Sequence, residues 1–343
     1  MKGRKWVTKG FVFGIMLLFA VLSQSGTSEA APATKVIELS DNHYYSTESW
    51  MNKVIKDFAA EIEKQTNGQV KITVFPGALL TKADQVYEGV IKGISDIGRA
   101  ETSFTPGRFP LMEVISLPWG PSSGWQGSLI ANEIYKKFRP KELDDTELLY
   151  FYTPSPVQLH SNKPVYKLED FKGLKIRSIP TIAPIIQALG AVPVFMPMPD
   201  AFEALQRGTI DGTVTAAETL KSFRLAEVTK YTTVCSLCCG LQFVTINRDK
   251  WKSLSPEIKK VFQDVSEKFA GITGKGFDEN DLIAKNFSLS LGNKFIIVPP
   301  EELRRWGERI QPIMDKWVAE KEAKGFPARA ALDEVLKLKE KYK

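Results

Sequence analysis

Side chains that bind metals or carry redox chemistry are scarce in this sequence. Its 343 residues include only two histidines, His43 and His160, and three cysteines. His, Cys, Asp and Glu residues do not recur at the spacing of a zinc site. A glycine-rich phosphate loop and a G-x-S-x-G nucleophile motif are also lacking. The sequence therefore predicts no metal and no cofactor.

Long hydrophobic runs are also scarce, and the clearest one lies at the amino terminus. Residues 11–22 are apolar, follow four basic residues and precede Ser28-Glu29-Ala30, whose small residues suit a signal peptidase. This pattern predicts a cleavable signal peptide over residues 1–30 and a periplasmic protein, with an uncleaved anchor as the alternative. No other stretch is long and apolar enough to cross a membrane.

The chain also lacks a strong excess of charge of one sign. Its formal net charge is +6, and removal of residues 1–30 would take away four basic residues and one acidic residue. The mature chain is then only mildly basic. Because nucleic-acid binding usually needs a concentrated basic face, we expect no nucleic-acid partner.

The most informative stretch is residues 173–213, GLKIRSIPTIAPIIQALGAVPVFMPMPDAFEALQRGTIDGT. Short apolar strands alternate here with helices that end at Gly190 and Gly208, which predicts a parallel sheet with right-handed crossovers. Arg177 lies toward the carboxyl end of its strand, where open α/β sheets bind ligands. Its planar guanidinium matches a carboxylate, either that of a ligand or that of a structural salt bridge within the protein.

This stretch resembles the solute receptors of tripartite ATP-independent periplasmic (TRAP) transporters. The shared features are GLKIR, an apolar helix ending in LGA, a proline-rich strand, and AFEALQRGTIDGT at 201–213. The resemblance covers nearly the whole mature chain. It implies a periplasmic-binding-protein-like α/β fold with two lobes, a ligand cleft between them, hinge strands and a long helix that spans both lobes.

We expect one lobe to comprise residues 31–154 plus about 243–285. The other should comprise 155–242 plus about 286–343. Each contains a β-α-β-α-β unit, and YEGVIKGISD in the first aligns with FEALQRGTID in the second. The two lobes should therefore be related and should face each other across the cleft, a preferred place for a ligand.

Several element boundaries follow from the same pattern. Residues 234–246 are predicted as a strand that returns to the first lobe, and 218–228 as a helix. The helix that begins at Ser255 is expected to continue to about Leu291. Pro154 and Pro156 suit a hinge crossing because they restrict the backbone.

The resemblance also implies ligand-binding residues. Arg177 occupies the position of the family's arginine that grips the carboxylate of an organic acid. His43 follows the first strand at the edge of the cleft. Glu101 lies where the family often has a polar contact from the first lobe.

The sequence departs from the family pattern at two positions. Many members carry a second arginine near Val157, which is aliphatic here, so Gln158 or His160 would have to substitute in a two-arginine clamp. Thr215 stands where many members have an asparagine, and it can still form a hydrogen bond. Glu218, three residues later, faces either solvent or ligand.

Four aromatic residues lie near predicted strand ends: Phe104, Trp119, Phe195 and Phe243. Core packing is the usual role of such side chains. If two or more of them line the cleft, the ligand has an apolar body behind its carboxylate.

Cys235, Cys238 and Cys239 form a short cluster in the predicted strand 234–246. Residues three apart in a strand are about 10 Å apart, too far for a disulfide. We expect these cysteines to be small buried hydrophobic residues. A redox-active C-x-x-C motif is the alternative.

The predicted function is that of a periplasmic TRAP solute-binding protein. Such a protein is monomeric, catalyses no reaction, captures a small organic acid and delivers it to membrane permease subunits. Two alternatives stay open: an extracytoplasmic sensor that signals to a receptor, and a secreted thiol oxidoreductase that uses the three cysteines.

Overall fold

The computed structural model describes residues 36–343, so the expected signal peptide at 1–30 lies outside the described residues. Within this range the strands form two sheets. In chain order the strands are β1 (Ile37–His43), β2 (Val70–Phe75), β3 (Ile97–Glu101), β4 (Thr146–Tyr152), β5 (Gln158–Ser161), β6 (Lys175–Ser178), β7 (Val192–Phe195), β8 (Gly212–Thr215), β9 (Tyr231–Val234), β10 (Gln242–Asn247) and β11 (Lys294–Ile297).

Helices cover the faces of the sheets. In chain order they are α1 (Trp50–Gln65), α2 (Val86–Ile91), α3 (Gly124–Phe138), α4 (Ala183–Ala188), α5 (Ala201–Gln206), α6 (Thr219–Ser222), α7 (Arg248–Ser253), α8 (Pro256–Ser290), α9 (Pro300–Glu322) and α10 (Ala328–Lys341). No helix within residues 36–343 has the length and apolarity needed to cross a membrane.

The first sheet, which defines the first lobe, has the order β2-β1-β3-β10-β4. Strand β1 is parallel to β2 and β3, and β10 is antiparallel to β3 and β4. Ile55, Phe58 and Ile62 recur at helical spacing on α1 and are fully buried. The chain returns to this lobe in β10, as the sequence predicts.

The second sheet, which defines the second lobe, has the order β11-β9-β5-β8-β6-β7. Strand β6 is parallel to β7 and β8, and β5 is antiparallel to β8 and β9. In both lobes the first strand of the β-α-β-α-β unit lies between the second and the third. The third strand then pairs with an antiparallel strand whose chain enters from the other lobe. The sequence repeat therefore corresponds to a repeat of topology.

Helix α8 spans both lobes, as expected. It begins with Pro256 after Ser255, whose side chain accepts the N–H of Ile258. Over its 35 residues it packs against α1 and α3 of the first lobe and α6 of the second.

The prediction of a continuous strand over 234–246 is wrong in its middle. Strand β9 ends at Val234, and β10 begins at Gln242. Ser236 has a φ of 43°, in the left-handed region, which a strand does not adopt. In place of a neighbouring strand, Oε1 of Gln158 accepts the N–H groups of Cys235 (2.7 Å) and Ser236 (3.1 Å).

The predicted helix over 218–228 is also wrong, because α6 contains only Thr219–Ser222. Arg224 follows with a φ of 58°, which ends the helix. Its side chain then binds Glu227, 2.9 Å from Nε to Oε1. A short 3₁₀ turn over Leu225–Glu227 replaces the expected continuation.

The carboxyl-terminal helices differ from the expected lobe boundary, which assigned 286–343 to the second lobe. Helix α9 packs against α4 of that lobe, but its end reaches the first lobe, where Trp317 Nε1 donates to Glu113 Oε2 at 3.3 Å. Helix α10 lies against α3, and Gln126 Nε2 donates to the carbonyl of Lys339 at 3.1 Å.

Candidate functional site

Strand ends from both lobes face one cavity. Tyr44 and Tyr45 follow β1, Glu101 ends β3, Arg177 is in β6 and Thr215 ends β8. The cavity has about 550 Å³ of atom-free space, part of it open to solvent. Its other lining residues are Phe104, Pro154, Val157, Ile179, Ile182, Met198, Val214, Ala216, Glu218, Thr219, Phe223, Gly240, Gln242 and Phe277.

Within residues 36–343, Arg177 is a buried cation without a carboxylate partner. Only 3% of its surface is exposed, and its Nε donates to the carbonyl of Met196 at 3.0 Å. Among residues 36–343, no carboxylate oxygen lies within 4.0 Å of the guanidinium. Burial lowers its pKa to about 10, although Tyr44, Glu101 and Asp200 act in the opposite direction. Such a cation is stabilised by an anion that enters the cavity.

Glu101 lies on the first-lobe wall and is 4% exposed. Its Oε1 accepts the N–H of Leu241 at 3.0 Å, and its Oε2 accepts from Nε2 of Gln242 at 2.7 Å. Burial raises the pKa of this carboxyl to about 8, while the Leu241 N–H and the charge of Arg177 lower it. Gly240 leaves room for the carboxylate, since a Cβ there would lie 2.8 Å from Oε2.

A line of hydroxyl groups continues from Gln242. The Tyr44 hydroxyl is 3.4 Å from Gln242 Oε1 and 3.3 Å from the hydroxyl of Tyr45. The Tyr45 hydroxyl is in turn 3.4 Å from that of Tyr152. Because Oε1 of Gln242 faces Tyr44, its amide nitrogen is directed toward Glu101. Burial raises the pKa of both cavity tyrosines, Tyr44 and Tyr45, which keeps them neutral.

Glu218 connects the two lobes beside the cavity. Its Oε2 accepts from Nε1 of Trp50 in α1 at 3.0 Å, and its backbone N–H donates to Oδ1 of Asp281 in α8 at 2.7 Å. The side chain is buried, which raises its pKa. Of the two expected orientations, the one toward the cavity is the one observed.

The remaining walls are apolar. Phe104 packs edge-on against Tyr44, with ring centroids 5.9 Å apart. Phe277 of α8, Phe223 and Ile182 complete an aromatic and aliphatic surface. The cavity therefore combines a single cation with an apolar body, which suits an amphipathic anion.

The two histidines do not line the cavity, contrary to expectation. His43 is fully buried on the same face of β1 as Asp41, which pairs with Arg99 at 2.8 Å. Successive side chains alternate between faces of a strand, so His43 points away from Tyr44. His160 is buried in β5, with Nδ1 3.0 Å from Oγ1 of Thr232. Burial lowers the pKa of each histidine to about 4.

Three further candidate ligand-binding residues, Gln158, Phe195 and Phe243, also lie outside the cavity lining, as does Trp119. Gln158 uses its amide to hold the crossing segment 235–241. Phe195 is 52% exposed on the edge strand β7, and Phe243 packs in the first-lobe core, 5.3 Å from Tyr87 between centroids. Trp119 is buried and donates to the carbonyl of Ile115 at 2.8 Å. The apolar wall thus comes from aromatics other than those considered, apart from Phe104.

The three cysteines are free and buried. Burial raises the pKa of the Cys235 and Cys239 thiols to about 12 and that of Cys238 well above its ordinary value. A redox-active thiol needs the opposite conditions, exposure and a low pKa. The expectation of buried residues holds, although the strand geometry used to derive it does not.

Comparison with known proteins agrees with this architecture. The family model of DctP, bacterial extracellular solute-binding protein, family 7, matches residues 42–321. The chain belongs to this family. The resemblance to TRAP solute receptors and the two-lobed fold are thereby confirmed.

Solved structures place the family 7 chain among TRAP solute-binding proteins. One from Desulfovibrio salexigens, an open complex, is 30% identical, with a TM-score of 0.80 over 90% of this chain and 97% of its own. A marine metagenome protein specific for aromatic acid ligands, in complex with metahydroxyphenylacetate, is 27% identical, with a TM-score of 0.85 over 89% and 99%. The C4-dicarboxylate-binding protein DctP of Rhodobacter capsulatus is 24% identical over 318 residues, 89% of this chain and 93% of its own.

Sequence reasoning about this family 7 protein missed several cavity residues. Tyr44 and Tyr45 follow β1 directly, so the rule that ligands bind at carboxyl ends of strands would have found them. Gln242 opens β10 opposite Glu101, a pairing that needs the sheet register. Phe223 and Phe277 come from a broken helix and the long helix, and no local signal marks them.

Proposed function

We propose that this protein is a periplasmic receptor that captures a small organic monocarboxylate and delivers it to membrane permease subunits. The observation that supports this most directly is Arg177, a buried guanidinium that faces the cavity and has no carboxylate partner within residues 36–343. A ligand carboxylate would supply that partner through two parallel hydrogen bonds. The protein would act as a monomer and catalyse no reaction.

A single carboxylate fits the cavity better than two. Val157 lines the wall at the position where many family members carry a second arginine. The described residues that line the cavity include no other cation. A second ligand carboxylate would therefore be desolvated without a partner, which is unfavourable.

The body of the ligand should be apolar or aromatic. Phe104, Phe223, Phe277 and Ile182 surround the space behind Arg177. Two relatives support this choice: the marine metagenome protein is specific for aromatic acid ligands, and a Bordetella bronchiseptica protein that is 26% identical was solved with bound mandelate.

The test is calorimetric titration of the mature protein with benzoate, phenylacetate and mandelate. Arg177→Lys keeps the charge but loses the planar pair of donors, so it should weaken binding clearly. Arg177→Ala should cost more, on the order of 2–5 kcal/mol, because the ligand carboxylate is left buried and unpaired. Arg207→Ala, an exposed arginine paired with Glu203 in the same lobe, is the matched control and should bind normally.

Apo melting curves separate this role from a structural one. Arg99→Ala should destabilise the ligand-free protein strongly, since it leaves Asp41 buried without its partner. Arg177→Ala should leave apo stability nearly unchanged. Normal affinity together with a destabilised apo protein would contradict the assignment of Arg177 as the ligand anchor.

A further inference from the structure

A second cavity lies between the lobes beside helix α9. We call it the α9 cavity, and the cavity that contains Arg177 the acid cavity. The α9 cavity has about 1310 Å³ of atom-free space, part of it open to solvent. Its lining comes from residues 102–117 of the first lobe, 180–188 of the second lobe and 313–321 of α9. Among residues 36–343, the two cavities share no lining residue.

One segment of each lobe, 101–105 and 179–182, separates the two cavities. In the first segment Phe104 lines the acid cavity, whereas Ser103 lines the α9 cavity. In the second segment Thr181 lines the α9 cavity, whereas the isoleucines at both ends line the acid cavity. A molecule in the α9 cavity would therefore contact the same two segments that form a wall of the acid cavity.

Helix α9, which forms one side of this second cavity, is attached to both lobes. Near its start, Oε2 of Glu302 accepts the N–H of Leu168 in the second lobe at 3.1 Å. Near its end, Nε1 of Trp317 donates to Oε2 of Glu113 in the first lobe at 3.3 Å, and Lys321 pairs with the same carboxylate. The α9 cavity is thus bounded by the two lobes and by a helix that connects them.

The charges around the α9 cavity balance one another. Glu113 pairs with Lys321, and Lys316 lies 3.8 Å from Glu320. Within the described part of the chain, these four are the charged side chains of the lining. In the acid cavity, by contrast, Arg177 lacks a carboxylate partner. An ionised ligand in the α9 cavity would lose its hydration without gaining a free countercharge, so this cavity suits an uncharged ligand.

Two buried hydroxyl groups of this cavity make no hydrogen bond within residues 36–343. They are Oγ of Ser103 in the first lobe and Oγ1 of Thr181 in the second. Ser103 is only 3% exposed. A buried polar group without a partner is unfavourable, so a ligand that supplies the missing hydrogen bonds would be stabilised. An alcohol suits both positions, because its hydroxyl can donate to one group and accept from the other.

We propose that the α9 cavity is a second ligand site, which takes an uncharged aromatic alcohol. The ring packs on the apolar lining, which includes Phe109 and Trp317, and the hydroxyl links Ser103 to Thr181. Because these two groups belong to different lobes, the ligand holds the lobes in the arrangement described here. It therefore strengthens binding of the acid, and by linkage the acid strengthens binding of the alcohol by the same factor. This coupling rests on the proposed function, whereas the site itself does not.

The site is tested by fluorine NMR titration of the mature protein with 4-fluorobenzyl alcohol, which should show saturable binding at about 1 mM or below. Ser103→Ala and Thr181→Val each remove one hydroxyl, so each should weaken binding of the alcohol about fivefold. Neither should change binding of 4-fluorotoluene, which has no hydroxyl. Ser266→Ala and Thr273→Val are the matched controls, because they remove buried, unpaired hydroxyls outside this cavity, and they should bind both probes like wild type.

The coupling is tested by calorimetric titration with whichever of benzoate, phenylacetate and mandelate binds most tightly. Saturating 4-fluorobenzyl alcohol should raise the affinity for the acid about fivefold or more. Arg177→Ala, which loses the proposed anchor of the acid, should still bind the alcohol. An alcohol that occupied the acid cavity instead would compete with the acid and lower its apparent affinity.

Three results would overturn the inference. In the first, the alcohol shows no saturable binding. In the second, Ser103→Ala or Thr181→Val binds it as tightly as wild type. In the third, the saturating alcohol lowers the affinity for the acid or leaves it unchanged. Failure of all three acids to bind would instead contradict the proposed function, and the titrations with the alcohol would still decide whether the α9 cavity is a site.

Discussion

Two buried arginines in this protein show how environment assigns a role. Arg99 is completely buried, pairs with Asp41 at 2.8 Å and donates to the hydroxyl of Tyr150 at 2.7 Å. Arg177 is almost as inaccessible, at 3% exposure, but makes one hydrogen bond to a carbonyl through Nε. The first contributes to the first-lobe core. The second retains a charge that the fold does not neutralise, which is the property expected of an anion-binding residue.

Glu101 should make the stability of the ligand-free protein depend on pH. Its folded pKa is about 8, against an ordinary value of 4.5. A carboxyl whose folded pKa is raised contributes stability that is fully present below its unfolded pKa and is lost as pH rises through the folded pKa. We expect Glu101→Gln to become more stable than wild type as pH increases from 5 to 8, by on the order of a few kcal/mol at about 1.4 kcal/mol per pKa unit.

Urea unfolding of both proteins at a series of pH values measures this difference directly. Other groups titrate in the same range, since Asp281 also has a pKa raised to about 8 and the two histidines have pKa values lowered to about 4. Because Asp281 and the two histidines are present in both proteins, their contributions cancel when the stability of wild type is subtracted from that of the variant at each pH. The exposed Glu308→Gln serves as control and should follow wild type. Parallel curves for Glu101→Gln and wild type would rule out a strongly raised pKa.

The residues that sequence reasoning located were those at the carboxyl ends of strands. Arg177 follows from the β-α-β pattern, because that pattern fixes where each parallel strand ends, whereas Glu101 and Thr215 were identified through the resemblance to the family. His43 and Phe243 were misplaced for another reason. Whether a side chain at a strand end faces the cavity or the covering helices depends on the strand's exact register, which local periodicity leaves undetermined.

At the scale of elements, α8 holds the crossing region together. Oδ1 of Asp278 accepts from the N–H of Gly124 and the hydroxyl of Ser155, both at 2.7 Å, and Oδ2 accepts the N–H of Trp125 at 3.0 Å. One turn later Asp281 accepts the N–H of Glu218. A single helical face thus fixes the start of α3, one crossing segment and the start of α6.

Close packing between α8 and α3 predicts opposite effects for two glycines on the same helix. A Cβ at Gly274 would lie 2.5 Å from the carbonyl oxygen of Gly124 and from Oγ of Ser128, so alanine requires the helices to separate. A Cβ at Gly271 would have its nearest contact at 3.7 Å. We expect Gly274→Ala to destabilise the protein by about 1–3 kcal/mol, typical of overpacking. Gly271→Ala should stabilise it by roughly 0.5–1 kcal/mol through helix propensity.

Thermal and urea unfolding of the two variants provide a matched comparison, since the substitution and the helix are the same. A Gly274→Ala protein as stable as Gly271→Ala would mean that the two helices do not approach this closely.

The elements that sequence reasoning missed lie where the chain crosses between lobes. Residues 235–241 contain an apolar, cysteine-rich run typical of a strand, yet they pair with the side chains of Gln158 and Glu101 instead of a neighbouring strand. The helix predicted over 218–228 breaks at Arg224. Tertiary hydrogen bonds hold the first segment, whereas a left-handed residue and its local ion pair end the helix in the second. The start of α8 was predictable from its N-cap and the proline that follows, and its length from the helical pattern together with the resemblance to the family.

At the scale of the molecule, the two lobes share one topology and exchange one strand each. Strand β10 enters the first sheet from the second lobe, and β5 enters the second sheet from the first. The crossing segments that precede them are therefore anchored at both ends in sheets. We expect relative motion of the lobes to be concentrated in these short segments and in α8, because hinges are formed by a few residues that connect rigid units.

The contact between Trp50 and Glu218 should exist only when the lobes are closed. Trp50→Phe removes the Nε1–H donor and retains a ring that can pack on Phe277, now 4.7 Å away between centroids. Glu218 then stays buried in the closed form with one partner fewer, at a cost of about 1.5 kcal/mol. Ligand dissociation, measured by stopped flow with the tightest-binding acid, should accelerate about tenfold.

Small-angle scattering of the wild-type protein should show a smaller radius of gyration with ligand than without. The melting temperature of the ligand-free Trp50→Phe protein should hardly differ from that of wild type. Trp125→Phe, a partly exposed tryptophan of α3 outside the cavity, is the control. An unchanged dissociation rate, or identical scattering curves at saturating ligand, would show that this contact does not stabilise a closed state.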